Sequence, residues 1–177
     1  MQTKQLLAVT GLVLLMTGCT VRSLQPLYTE KDQIFEPQLL GMWVGVGDKS
    51  DDLLTFQKYE DNAYTVRVGD LPKLKGHLMK IEGEMLLDLT PADTEGPFDI
   101  PGHLFARIRV NGDTMQTALL DSDWAEHAAD AGTLGLSHVR IGSSVVLTGF
   151  PKELQAFVAR HAGDDSIFKD HQEYRRF

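Results

Sequence analysis

The sequence predicts a mainly β protein: an antiparallel up-and-down barrel of about eight or nine strands, with one inserted helix and one C-terminal packing helix. Three observations lead there. From Leu39 onward, short runs alternate apolar and polar residues. Turn residues separate these runs, so that nearly every run can pair with the next as a hairpin. Only two stretches place apolar residues at helical spacing.

Leu40–Val46 opens the β region. Asp52–Tyr59 and Ala63–Val68 follow, joined by the turn-like Glu60-Asp61-Asn62. Leu74–Ile81 and Met85–Leu89 flank Glu82-Gly83-Glu84, and His103–Val110 and Thr114–Leu120 flank Asn111-Gly112-Asp113. Asn-Gly is the strongest short hairpin signal in the chain. Ser137–Ile141 and Ser144–Thr148, around Gly142-Ser143, complete the set.

The alternation predicts one dry and one wet face. Tyr64, Val66 and Val68 oppose Thr65 and Arg67; Leu104, Ala106, Ile108 and Val110 oppose His103, Arg107 and Arg109, with Phe105 an apolar exception. Val139 and Ile141 oppose His138 and Arg140. The expected interior holds Phe56, Tyr64, Leu74, Leu78, Met85, Leu87, Leu104, Ile108, Met115 and Leu119. A barrel of this size has room for packed side chains or for one small ligand.

The first helix is expected at Trp124–Ala131, with Asp123 as cap, Glu126 three residues on and Gly132 as stop. The second is expected at Pro151–His161, with proline at its first position and Gly163 beyond its end. Leu154, Phe157 and Val158 share one of its faces, which should pack on the sheet.

Ahead of the β region, Lys4 is followed by an apolar run over residues 6–16, ending in Leu14-Leu15-Met16-Thr17-Gly18-Cys19. A spanning helix needs roughly 20 apolar residues, and this run is about half that. A short basic start, an apolar stretch and small residues at a cleavage point make a signal peptide. The segment resembles the lipobox of bacterial lipoproteins. That resemblance implies cleavage before Cys19 and acylation of its thiol. Thr20 follows where Asp would favour the inner membrane, so the resemblance implies the outer membrane, facing the periplasm. Cys19 is the only cysteine, so the domain has no disulfide and no thiol for catalysis. The expected organisation is a signal peptide at 1–18, the lipidated cysteine and a tether at 19–38, the β domain with its helix at 39–163, and a polar tail at 164–177. In that tail Glu173 and Arg175 interrupt any apolar alternation, so a membrane-spanning barrel is not expected.

Gly41-Met42-Trp43, at the start of the first strand and followed by successive hairpins and a helix, resembles the lipocalins and lipocalin-like barrels. The resemblance implies an eight-stranded barrel with Trp43 plugging one end and an arginine packed on that tryptophan. Arg140 lies one strand too early for that arginine, and Leu120-Asp121-Ser122-Asp123-Trp124 leads into a helix where the family has a Thr-Asp-Tyr turn. The stretch from Leu27-Tyr28-Thr29 to Gly41-Met42-Trp43 is also similar to a group of small bacterial lipoproteins.

The net charge of −8 becomes −9 once Lys4 leaves with the signal peptide. That balance argues against nucleic acid and against recruitment by anionic headgroups. No Gly-x-Ser-x-Gly elbow, phosphate loop, dinucleotide fingerprint or His-Glu-x-x-His spacing occurs. Asp88, between Leu87 and Leu89, reads as the solvent side of its strand. Asp121, Asp123, Glu126 and His127 are better explained by capping and the helix dipole than by a cation. No catalytic residue, metal or cofactor is expected. The first functional expectation is a lipid-anchored protein that binds or carries a small apolar ligand, such as a lipid or fatty acyl chain. Trp43 would close one end, and Tyr64, Met85, Leu104 and Met115 would line the interior. The alternative is an envelope structural or protein-interaction lipoprotein with a solid core and an apolar surface patch around Phe105, Ile167 and Phe168.

Overall fold

The computed structural model describes residues 20–47, 52–93 and 102–177. The expected signal peptide at 1–18 and Cys19 lie outside the described residues. In chain order the elements are β1 (Arg22–Ser23), β2 (Gln33–Ile34), a 3-10 turn (Pro37–Leu39), β3 (Gly41–Gly45), β4 (Leu53–Tyr59), β5 (Ala63–Val68), β6 (Leu74–Ile81) and β7 (Glu84–Pro91). There follow β8 (Leu104–Asn111), β9 (Thr114–Leu120), α1 (Ser122–Asp130), β10 (His138–Ile141), β11 (Ser144–Leu147), α2 (Pro151–His161) and β12 (Phe168–Arg176).

Eight of these strands close an antiparallel barrel. β3 to β9 run as a meander, and β12 returns to lie between β9 and β3. The β6–β7 hairpin has only Glu82 and Gly83 in its loop, at φ 50° and 88°. Two consecutive positive φ values make the loop's twist match that of the strands, and glycine supplies the second without steric cost.

Inward-facing residues of the barrel form one core, built around Trp43, Phe56, Tyr64, Leu78, Ile108, Met115 and Tyr174. A second core lies against the outer face of β6 to β9. Met79, Leu86, Phe105, Ala118 and Leu120 face outward there and meet α1, α2, β11 and the lead segment through Ala125, Leu154, Phe157, Leu147 and Leu27. These four strands are therefore buried on both sides. The expected wet face holds on β4 and β5, where Gln57 and Arg67 are exposed, but not on β8, where Arg107 is buried. Phe105, Ile167 and Phe168, expected at the surface, belong to the second core.

Several placements differ from the expectation. β10 and β11 leave the barrel and form a small sheet with β1, which pairs parallel to β11. Residues 164–177 are not a polar tail but carry β12, so α2 precedes the last barrel strand. A barrel wall strand needs main-chain partners on both edges and a few inward side chains; Tyr174 supplies the apolar one, while Glu173 and Arg175 face solvent. Residues 20–38 are likewise no free tether, because Leu27 is fully buried and both short strands are paired. α1 is capped by Asp121, which accepts from the Trp124 N–H at 2.6 Å, and not by Asp123.

Candidate functional site

One mouth of the barrel is closed by residues 34–40. Ile34, Phe35 and Leu40 pack on the inner core and Leu39 is buried in it. Pro37 pre-sets the 3-10 turn, and Glu36 caps it by accepting from the Gln38 N–H at 3.0 Å. Trp43 Nε1 donates to the Leu39 carbonyl at 2.9 Å. The Tyr64 hydroxyl accepts from the Glu36 N–H at 2.6 Å, and its ring stacks on Phe35 at 5.0 Å. Burial raises the Tyr64 pKa, so the group stays a neutral phenol that can both donate and accept.

Arg176 completes this closure. Its guanidinium lies 4.3 Å from the centre of the Trp43 ring. Nη1 donates to the Leu40 carbonyl at 2.9 Å and Nη2 to the Gln38 carbonyl at 2.6 Å. The arginine packed on Trp43 is thus Arg176, supplied by β12, whereas Arg140 pairs with Asp130 at 3.0 Å. A planar cation suits this place, since it covers the ring while its fork reaches two carbonyls.

Of the expected ligand residues, Trp43, Tyr64 and Met115 are fully buried in the inner core. Met85 packs against that core half-buried, and Leu104 is half-buried opposite Leu89 on β7. The buried members of the inner core are between 0 and 6 % exposed. A void able to hold a ligand leaves accessible surface on the side chains that line it. Gly76, facing inward on β6, sharpens the point: a methyl group there would sit 3.0 Å from Val66 Cγ2 and 3.1 Å from Leu87 Cδ1. The middle of the barrel is filled by its own side chains.

A polar cluster lies on the opposite side of the same wall. Asp88 is fully buried beneath the lead segment. Its carboxylate accepts the Leu27 N–H at 2.7 Å and His103 Nδ1–H at 2.7 Å. Beside it His77 stacks on Tyr28 at 4.2 Å and donates through Nδ1 to Gln33 Oε1 at 3.0 Å. Burial, above all, lowers the His77 pKa; Asp88 and Glu60 pull it the other way. A carboxylate oriented on a histidine is also half of a nucleophile-activating array. The nearby hydroxyl, Ser23 Oγ, donates to the Gln25 carbonyl at 2.7 Å. The cluster's hydrogen bonds therefore fasten residues 23–33 to the barrel.

Arg107 plays the matching part for the C-terminal half. It is buried, donates to the Ala162 carbonyl at 2.9 Å, pairs with Asp165 and covers the Phe168 ring at 5.2 Å. Sequence reasoning placed Asp88 and Arg107 in solvent. The available signal was Leu86 and Phe105, large apolar side chains two residues away on the same outward faces.

Among the described residues no group of three histidine, cysteine, aspartate or glutamate side chains is arranged to hold a metal ion, and no helix is long and apolar enough to cross a membrane. An open groove of about 760 Å³ runs between β10 and α2, lined by Leu136, Ser137, His138, Glu153 and Arg160. It has no connection to the residues of either cluster above. No protein-family model, curated protein or solved structure matches the chain.

The uncovered wall carries an apolar patch of its own. Met42 on β3 is 42 % exposed, Leu53 on β4 is exposed in register with Val44, and Phe177, 84 % exposed, donates its N–H to the Met42 carbonyl at 3.0 Å. β3 lies four strands from β7 around the barrel, on the side away from the second core.

Proposed function

We propose that this chain is a lipoprotein anchored through Cys19 to the periplasmic face of the bacterial outer membrane, where its packed barrel serves as an interaction module for an envelope protein. The observation that carries the reading is the filled interior: a carried acyl chain would have to displace Phe56, Tyr64 and Met115, which are buried against one another. The ligand-carrier reading needs space there, whereas an interaction module needs only a rigid surface. Met42, Leu53 and Phe177 offer that surface, an apolar centre flanked by the exposed charges of Glu173 and Arg175.

The test is a photoreactive side chain at position 42 in intact cells, with the same group at Gln57 as control. A discrete adduct from position 42, lost when Phe177→Asp is added, supports the reading. Chain recovered from the envelope without an adduct but with a stoichiometric lipid, other than the anchor, returns the carrier.

A further inference from the structure

We infer that the barrel does not float on a leash but rests against the membrane through the outer face of the β1–β11–β10 sheet, with the bilayer surface as its occupant. The inference rests on the proposed anchoring at Cys19. What it adds follows from how Thr20–Ser23 are held by the fold. Thr20 already forms a bridge with Asp121, Val21 is buried in the second core, and Arg22–Ser23 are paired with Val146–Leu147. Cys19 is one Cα step, about 3.8 Å, from Thr20. A lipid on that residue leaves no free linker between bilayer and fold, so some face of the domain beside Thr20 must meet the headgroups.

Register identifies the face. Val145 and Leu147 point into the second core, so Val146 points away from it, together with its cross-strand partners Arg22 and Val139. Ile141, opposite Ser144, shares that side. Ile141 is 65 % exposed and Val139 45 %. Counting back along the parallel β1–β11 register from Arg22 and Val146 sets Thr20 level with Ser144, at the hairpin end that carries Ile141. β1 and β10 are separated by two strand spacings, about 10 Å. The exposed isoleucine thus sits about 10 Å from Thr20, the residue that follows Cys19 in the chain, and at the same end of the sheet. Arg22 is exposed on this face, and a guanidinium there suits lipid phosphates. The net negative chain would not be drawn to a membrane by charge. Here the anchor supplies the affinity, through burial of its acyl methylenes, and the sheet face needs only to fix the orientation.

The test uses the full lipidated chain, in which the thiol of Cys19 is blocked by its lipid and a single introduced cysteine is the one reactive site. Ile141→Cys and, as control, Gln57→Cys are each labelled with an environment-sensitive fluorophore and reconstituted on vesicles of phosphatidylethanolamine and phosphatidylglycerol. The expected result is a several-fold enhancement at position 141, quenched by nitroxides carried on the lipids and shielded from iodide. The Gln57 label should stay open to iodide. If position 141 is as open to iodide on vesicles as in solution while the protein still floats with them, the docked orientation is wrong and the anchor stands. If the full chain does not float, or floats equally well as Cys19→Ala, the anchor fails and the docked face fails with it.

Discussion

The two cores share one sheet and are built by different means. The inner core is assembled by side chains that alternate inward around the barrel, and its polar contacts are few and terminal: Trp43, Tyr64 and Arg176 bonding to the backbone of residues 36–40. The outer core is assembled from remote pieces of chain laid over β6 to β9, and two buried charges hold it down. Asp88 fastens the lead segment, and Arg107 fastens the end of α2 and the turn after it. Apolar periodicity creates the first kind of core, whereas the second also needs a specific partner for each buried charge, since an unpartnered one is strongly unfavourable.

Breaking the inner core should cost most. Trp43→Ala removes the largest buried side chain and the ring beneath Arg176, and is expected to lower unfolding free energy by about 4 kcal/mol in a denaturant titration. Asp88→Ala tests the outer core. It strands the Leu27 N–H and His103, with an expected loss of about 3 kcal/mol. It should also differ in kind: proteolysis should open first within residues 20–34, with the barrel amides still protected from exchange. Trp43→Ala should weaken protection throughout the barrel.

Gly76→Ala sharpens the contrast from the other direction. One methyl group added to a filled interior forces Val66 and Leu87 to move, at an expected cost of about 2 kcal/mol. In a barrel with spare volume the same change would be neutral or stabilising.

The smallest effect concerns pH. Burial holds the folded His77 below its unfolded pKa. The unfolded chain therefore takes up the proton first as pH falls, and stability drops from about pH 6.5 downward until the folded pKa is passed. His161, also lowered by burial, adds to the same slope. His77→Gln should flatten the pH dependence between about 5 and 7 while retaining an acceptor and donor toward Gln33. An unchanged slope would mean that His77 is solvated when folded.

How much of this was legible follows from the same contrast. Strands β3, β4, β5, β6, β8, β9, β10 and β11 fall within one residue of the expected spans at each end, and α2 has the expected span. Phe56, Tyr64, Leu78, Leu87, Ile108 and Met115 occupy the inner core as the pattern requires. β12 was not legible because its barrel-facing side is Gln172, Tyr174 and Arg176, and its pairing is carried by backbone atoms that every residue possesses. Arg176 was missed with it. The outer core was hidden because a strand's pattern shows which side chains share a face, not what covers that face. Phe105 was the visible misfit. An apolar side chain on a face otherwise carrying His103, Arg107 and Arg109 marks a wall that something else must cover.

The most direct test of the solid barrel is native mass spectrometry of the chain from Thr20 to Phe177, which lacks Cys19, purified from a periplasm without detergent. The filled interior predicts the bare polypeptide mass, unchanged when fatty acids or phospholipids are added. A bound mass that leaves on organic extraction would contradict it and return Tyr64, Met85, Leu104 and Met115 to the lining of a ligand site.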